Sequence, residues 1–113
     1  LGKTNIEKQN LLKLAKESEK LGAKAVLLEC ITTDTAKLIT ENISIPTIGI
    51  GASRYCDGQI LVFDDLINLD TTKKKPRFVK KYFDFNRIAS NVVKKYNQEV
   101  KLKKFPSSKF TYN

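Results

Sequence analysis

Apolar residues along this chain alternate between two spacings, and each change of spacing marks an element. Leu11, Leu12, Leu14, Ala15, Ser18 and Leu21 follow a 3.6-residue period with Lys and Glu between them, the pattern of an amphipathic helix. Ahead of them Thr4-Asn5-Ile6-Glu7 fits a capping box, and Gly22 stands where a left-handed C-terminal cap is wanted. A helix over residues 5 to 21 is predicted. Ala25-Val26-Leu27-Leu28 is a continuous apolar run, too short for a core helix, and Glu29 ends it. It reads as a strand covered on both faces, as in a parallel sheet.

The same alternation continues downstream. Thr33 or Asp34 can cap a second helix through Ala36, Leu38 and Ile39, closed by Asn42 before Ile45-Pro46 forces extended geometry. Thr47-Ile48-Gly49-Ile50 is a second strand and Gln59-Ile60-Leu61-Val62-Phe63 a third, ending at Asp64-Asp65. The first two strands are separated by the length a βαβ crossover needs, which argues for a parallel sheet. Further on, Asp84 or Asn86 can cap a final helix. Its apolar stripe is Ile88, Val92, Val93, Tyr96 and Val100, opposite Arg87, Lys94, Lys95 and Lys101. From Lys103 to Asn113 the period is lost, and a loosely held terminus is expected.

Three parallel strands leave two apolar edges unpaired, so further strands are expected elsewhere. A β/α barrel has eight strands in about 250 residues, and this chain supplies about three. The expected fold is therefore α/β: residues 1 to 70 as the last βα units of a parallel (β/α)8 TIM barrel. Residues 71 to 113 would be a basic loop and helical extension of the same domain. Catalytic groups in such barrels sit at the C-terminal strand ends, where Glu29, Gly49-Ile50-Gly51 and Asp64-Asp65 would all fall.

Composition narrows the chemistry. With 41% apolar residues in 113, the chain has enough to build a core. No run approaches the ~18 to 20 apolar residues of a membrane span, and no signal peptide is legible, so a cytoplasmic protein is expected. Histidine is absent, which removes Ser-His and Cys-His nucleophiles and common Cys/His zinc sites. Acid–base work must fall to carboxylates, Lys or Tyr. Cys30 and Cys56 read as reduced thiols. The net charge of +9 invites a nucleic-acid reading, yet the excess lies entirely after residue 70.

Each candidate residue has two readings. A carboxylate at Glu29, behind four apolar residues, would be partly desolvated and raised toward the range of a useful base; alternatively it turns to solvent. Gly49-Ile50-Gly51 resembles the start of a phosphate-binding turn, but Arg54 breaks the dinucleotide spacing, and close packing explains the glycines equally well. Asp57, Asp64 and Asp65 could hold a hard metal, or could serve turns and caps. Lys73-Lys74-Lys75 and Lys80-Lys81 could meet phosphates with Phe78, Tyr82 and Phe83 stacking; a solvated basic face with core aromatics is the competing reading.

Leu27-Leu28-Glu29-Cys30, Ile45-Pro46-Thr47-Ile48-Gly49-Ile50-Gly51-Ala52 and Asp57-Gly58-Gln59-Ile60-Leu61-Val62, in this order, resemble ketopantoate hydroxymethyltransferase. The resemblance extends through Pro76-Arg77-Phe78-Val79-Lys80, through Ile88 to Val100, and to Phe105-Pro106. It implies transfer of a one-carbon unit from 5,10-methylenetetrahydrofolate to the keto acid 3-methyl-2-oxobutanoate, giving 2-dehydropantoate for pantothenate synthesis. It also implies Mg²⁺ and a homo-oligomer, a decamer of barrels.

The family's proton-abstracting glutamate falls on Glu29. Its metal-binding acids match nothing here and are expected in an N-terminal part that this chain lacks. No cofactor-binding or metal-ligating residue transfers, so the fragment alone would be inactive. Ser53 stands where the family usually carries glycine. The resemblance further implies no nucleic-acid or membrane partner. The chain is richer in Lys, Asn and Ile than typical members of the family, and the positive charge is attributed to that drift in composition. Two other readings predict different behaviour: a basic nucleic-acid-binding module centred on residues 73 to 104, and a non-catalytic remnant kept for assembly.

Overall fold

A computed structural model describes residues 1–70 and 74–112. Thr71, Thr72 and Lys73, including the first lysine of the basic run, and the terminal Asn113 lie outside the described residues. The chain divides into two compact units, Leu1–Val62 with Pro76–Val79, and Phe63–Lys75 with Lys80–Asn113.

In the first unit, helix α1 spans Asn5–Lys20. Its start is set by the capping box: the Thr4 hydroxyl accepts from the Glu7 N–H at 3.2 Å, and the Glu7 carboxylate accepts from the Thr4 N–H at 3.3 Å. Its end is a Schellman turn. Gly22, at φ +93°, donates to the Glu19 carbonyl, and Ala23 donates to that of Ser18. Strand β1 is Val26–Glu29, helix α2 Thr33–Thr40 and strand β2 Thr47–Ile50. Strand β3 is Gly58–Gln59. The sheet order is β1-β2-β3, and both pairings are parallel, as the crossover spacing predicts.

The cap of α2 differs from expectation. Thr32 is the N-cap residue, and Thr33 already belongs to the helix. The Thr32 hydroxyl bonds the Gly2 carbonyl at 2.8 Å and lies 2.9 Å from the Thr35 hydroxyl, so it ties down the chain start instead of capping.

The third strand is also shorter than its apolar run. Ile60 N–H still donates to the Gly49 carbonyl, but β2 ends at Ile50, so among the described residues Leu61 and Val62 have no strand neighbour to pair with. Chain direction changes there, and Phe63–Leu66 forms the single turn α3 with Asp64 and Asp65 in it.

Register puts Val26, Leu28, Thr47 and Gly49 on one face of the sheet and Leu27, Glu29, Ile48 and Ile50 on the other. The first face is covered. Leu28 is 3% exposed and clusters with Ala15 of α1, with Ala36 and Ile39 of α2, and with Ile31 and Cys56, flanked by Leu11, Leu12 and Ile43. The opposite face is only partly covered: Leu27 is 53% exposed and Glu29 is exposed, while Ile48 and Ile50 are half-buried. The expectation of strands covered on both faces therefore fails in this chain: both helices of the unit pack on the same side.

Thr47 is fully buried yet satisfied. Its N–H and its hydroxyl both donate to the Asp57 carboxylate, at 2.8 and 3.0 Å. Among the described residues no buried side-chain polar atom lacks a partner.

In the second unit, helix α4 spans Phe85–Lys101. Asp84 caps it, accepting from the Arg87 N–H at 3.3 Å, and also accepts from the Asn68 amide and the Lys81 ammonium at 3.0 Å each. The Leu66 carbonyl accepts from the Tyr82 and Phe83 N–H groups, and that of Ile67 from Phe85. Tyr96 and Phe105 meet edge to face, with ring centroids 5.5 Å apart. No residue of α4 is buried. A single 3₁₀ turn, Ser108–Phe110, follows where no period was legible.

Candidate functional site

Parallel strands that start together end together, and the C-terminal ends of β1 and β2 bring Glu29, Cys30 and Gly51 to one rim of the sheet. Glu29 pairs in register with Ile50, and the Cys30 N–H extends the ladder by donating to the Ile50 carbonyl at 3.0 Å. Cys30 then takes φ +52°, which ends the strand and turns the chain toward α2. Glu29 is thus the last side chain on the face of the sheet away from the helices. It is exposed in this chain, so the expected desolvation does not hold among the described residues. A carboxylate there can accept a proton from a molecule bound over Leu27 and Ile48.

Both glycines of the Gly-Ile-Gly turn are explained by packing. A Cβ on Gly49 would meet the Gln59 side chain at 2.9 Å and the Cys56 sulfur at 3.1 Å. Gly51, at φ +61°, lies against the Phe78 ring so closely that any side chain would enter it. Ser53 suits its place: buried, it accepts from the Tyr55 N–H through its hydroxyl, and its carbonyl accepts from the Gln59 amide at 2.6 Å.

Of the three aspartates considered for a metal, Asp57 is committed to Thr47. The Thr47 N–H, then its hydroxyl, hold the Asp57 carboxyl below the ordinary aspartate value of 3.8. Asp65 pairs with Lys75. Among the described residues no three His, Cys, Asp or Glu side chains gather as a metal centre would require. Cys30 and Cys56 are free thiols, the first exposed and the second buried.

The basic and aromatic stretch is dispersed rather than assembled. Lys75 pairs with Asp65 and Lys81 with Asp84, while Lys80 lies 4.8 Å from the Tyr82 ring centroid. Phe78 is half-buried over Gly51, but Tyr82 and Phe83 are exposed, so they are not the core aromatics expected of them. Sequence reasoning missed one feature of the rim: Lys3 and Arg77, 74 positions apart, line the same cleft beyond β1 and β2. The signal available was Pro76-Arg77-Phe78, where an aromatic able to fill the space over Gly51 follows the arginine. Among the described residues no helix is long and apolar enough to cross a membrane.

Comparison with known proteins places this arrangement. The profile of the family described as ketopantoate hydroxymethyltransferase matches residues 1–108. The chain is 45% identical over 111 residues to 3-methyl-2-oxobutanoate hydroxymethyltransferase of Thermosipho melanesiensis, covering 98% of this chain and 42% of that protein. The proteins of the same name from Kosmotoga olearia and Thermotoga maritima are 47% and 43% identical, over 93% and 98% of this chain and 39% and 41% of their own. The chain thus spans about two fifths of the length of the curated relatives it matches.

Proposed function

The chain belongs to the ketopantoate hydroxymethyltransferase family, and from that premise we propose that Glu29 is the base of a one-carbon transfer to a 2-keto acid. The observation that carries the reading is positional. Glu29 ends a parallel strand on the face away from the helices, the place where barrel enzymes present catalytic side chains. Helices on one face, and exposed Leu27 beside half-buried Ile48 and Ile50 on the other, also suit the wall of a (β/α)8 barrel, with the face away from the helices inward. Five further strands would close it and desolvate Glu29, which would raise the carboxyl toward the range where it removes protons well.

In this reading 3-methyl-2-oxobutanoate lies over the inward face with C3 toward Glu29. The carboxylate takes the C3 proton and leaves the electron pair conjugated with the ketone. The resulting enolate forms a carbon–carbon bond to the methylene carbon of 5,10-methylenetetrahydrofolate as one of its two C–N bonds breaks. Water then displaces the second nitrogen and supplies the new hydroxyl, while the C3 proton and the remaining water proton go to the two folate nitrogens, giving 2-dehydropantoate and tetrahydrofolate. Glu29 holds the C3 proton between its removal and that return. The family's Mg²⁺ finds no fitting donor set among the described residues. We also propose a cytoplasmic homo-oligomer on the family's decameric pattern, with no nucleic-acid or membrane partner. The pairing of Lys75 and Lys81 with acids lends support by reducing the free positive charge of the basic stretch.

The test uses a hybrid in which this chain replaces the matching segment of the Thermotoga maritima relative. Exchange of the C3 proton of 3-methyl-2-oxobutanoate in D₂O, without folate, isolates the proton step. Glu29→Gln should slow that exchange by about 10²- to 10⁴-fold, the usual worth of a positioned base. Unchanged exchange removes Glu29 from the role.

A further inference from the structure

The Glu29 carboxylate has no hydrogen-bond or ion-pair partner among the described residues, so its placement rests on the backbone that carries it. That backbone is the end of β1, an edge strand whose sheet partner is β2. Glu29 pairs with Ile50, and the Cys30 N–H donates to the Ile50 carbonyl at 3.0 Å. Cys30 then takes φ +52°, a left-handed conformation unfavourable for a residue with a Cβ, so this strand end needs a hold from outside.

The hold sits on the residue after β2. Gly51, at φ +61°, has no room for a side chain, because the Phe78 ring fills the space: a Cβ there would lie 2.6 Å from the ring's Cγ and 2.9 Å from its Cε1. A built turn delivers that ring. Pro76–Val79 joins the first unit, although Lys75 and Lys80 on either side belong to the second. The Val79 N–H donates to the Pro76 carbonyl at 3.0 Å, which makes Arg77 and Phe78 the central residues of the turn. Arg77 is exposed and Phe78 half-buried, so the turn presents its aromatic side to Gly51.

We propose that Phe78 is a positioning residue for the base. By clamping Gly51 it fixes the Ile50 carbonyl, and through the Cys30 N–H it fixes the direction in which Glu29 leaves the sheet. The inference rests on the reading of Glu29 as the base and deepens it. Phe78 touches no reacting atom in this arrangement. Loosening the strand end moves the carboxylate relative to the C3 proton, so the loss falls on the rate of proton removal and not on the affinity for the keto acid.

The test uses the hybrid with the Thermotoga maritima relative and follows C3 proton exchange of 3-methyl-2-oxobutanoate in D₂O. Phe78→Ala should lower kcat for exchange by about 10- to 100-fold, the cost of a slightly misplaced base, with KM within about twofold of the parent. Phe78→Leu keeps the Cγ and Cδ1 positions nearest Gly51 and should recover most of the rate. In a hybrid already carrying Glu29→Gln, Phe78→Ala should cost no more than about twofold, because no base is left to misplace; a residue that only stabilises the fold would lower both backgrounds equally. Amide exchange in this chain locates the effect. The Cys30 amide should exchange about 10-fold faster in Phe78→Ala, while the Val26 amide, bonded to the Pro46 carbonyl at the far end of β1, stays as it was.

Unchanged kcat, a loss confined to KM, equal losses with and without the Glu29 carboxylate, or equal deprotection of Val26 and Cys30 overturns the role of Phe78 and leaves Glu29 the base. A Glu29→Gln hybrid that exchanges as fast as its parent removes Glu29 as the base, and the positioning role falls with it.

Discussion

The two units of this chain hold their apolar residues in opposite ways. Leu1–Val62 with Pro76–Val79 folds two helices onto one sheet face and buries Leu28, Ala36 and Ile39 almost completely. Phe63–Lys75 with Lys80–Asn113 carries an equally regular stripe on α4 and buries none of it. Val92, Val93 and Tyr96 are each more than half exposed. What holds the second unit is local: the Asp84 cap, the backbone bonds from Leu66 and Ile67, and the Tyr96–Phe105 ring pair. A good amphipathic pattern is therefore evidence that a face is to be covered, not that the same chain covers it. Leu27, 53% exposed on the face of the sheet away from the helices, teaches the same lesson within the first unit.

The largest effect that would sharpen the contrast is at Ile39, which is 1% exposed. Ile39→Ala should destabilise the first unit by about 2 to 5 kcal/mol, the range for deleting buried aliphatic volume where neighbours relax only in part. Urea unfolding followed by amide exchange would show protection lost across β1, β2 and α2. A loss below about 0.5 kcal/mol, the level of ordinary surface substitutions, would mean that this core is not packed in solution and would erase the distinction between the units.

Local signals in the sequence carried further than long-range ones. The Thr4–Glu7 box and the Gly22 cap involve residues within a few positions and stand as read, and of the two caps open to the last helix the structure takes Asp84 over Asn86. The parallel sense of β1 and β2 followed from one crossover length. Ile60 to Phe63 was misread because strand existence depends on a neighbour, and β2 ends before those residues can pair. Thr32, not Thr33, holds the cap position, and its hydroxyl makes no capping bond because the Gly2 carbonyl, 30 positions away, takes it. Glu29 was placed correctly at a strand end, but its environment depends on what faces the sheet, which one strand's sequence cannot encode. The meeting of Lys3 and Arg77 is of the same long-range kind.

Acidification offers a smaller perturbation, one in each unit. Asp57 lies below 3.8 because Thr47 N–H and hydroxyl donate to it; Asp84 does so because of the Asn68 amide and then Lys81. Both folded values are depressed, so the unfolded chain binds more protons in this window. Their stabilisation is complete above the unfolded aspartate value and is lost as pH falls through it toward the folded ones. Melting temperature should therefore drop between about pH 5 and pH 3. Asp57→Asn should flatten that dependence for amides of β1 and β2, and Asp84→Asn for those of α4. If either substitution flattens both sets together, the units unfold as one body and the comparison breaks.

The smallest expected effect is at Val92, 62% exposed in the middle of the α4 stripe. Val92→Ser removes two methyl groups that have no covering partner among the described residues, so at micromolar concentration it should change stability by no more than about 0.5 kcal/mol. The informative variable is concentration. A covered stripe would give a cost that grows as the protein is concentrated, because binding another copy stabilises the folded state by mass action. Sedimentation of the unsubstituted chain and of Val92→Ser over a hundredfold range then separates the cases. Identical profiles leave α4 a solvated helix held by its caps. A parent that associates while the variant does not would show that the second unit also has a core, assembled between molecules, and that the two units differ only in where its other half comes from.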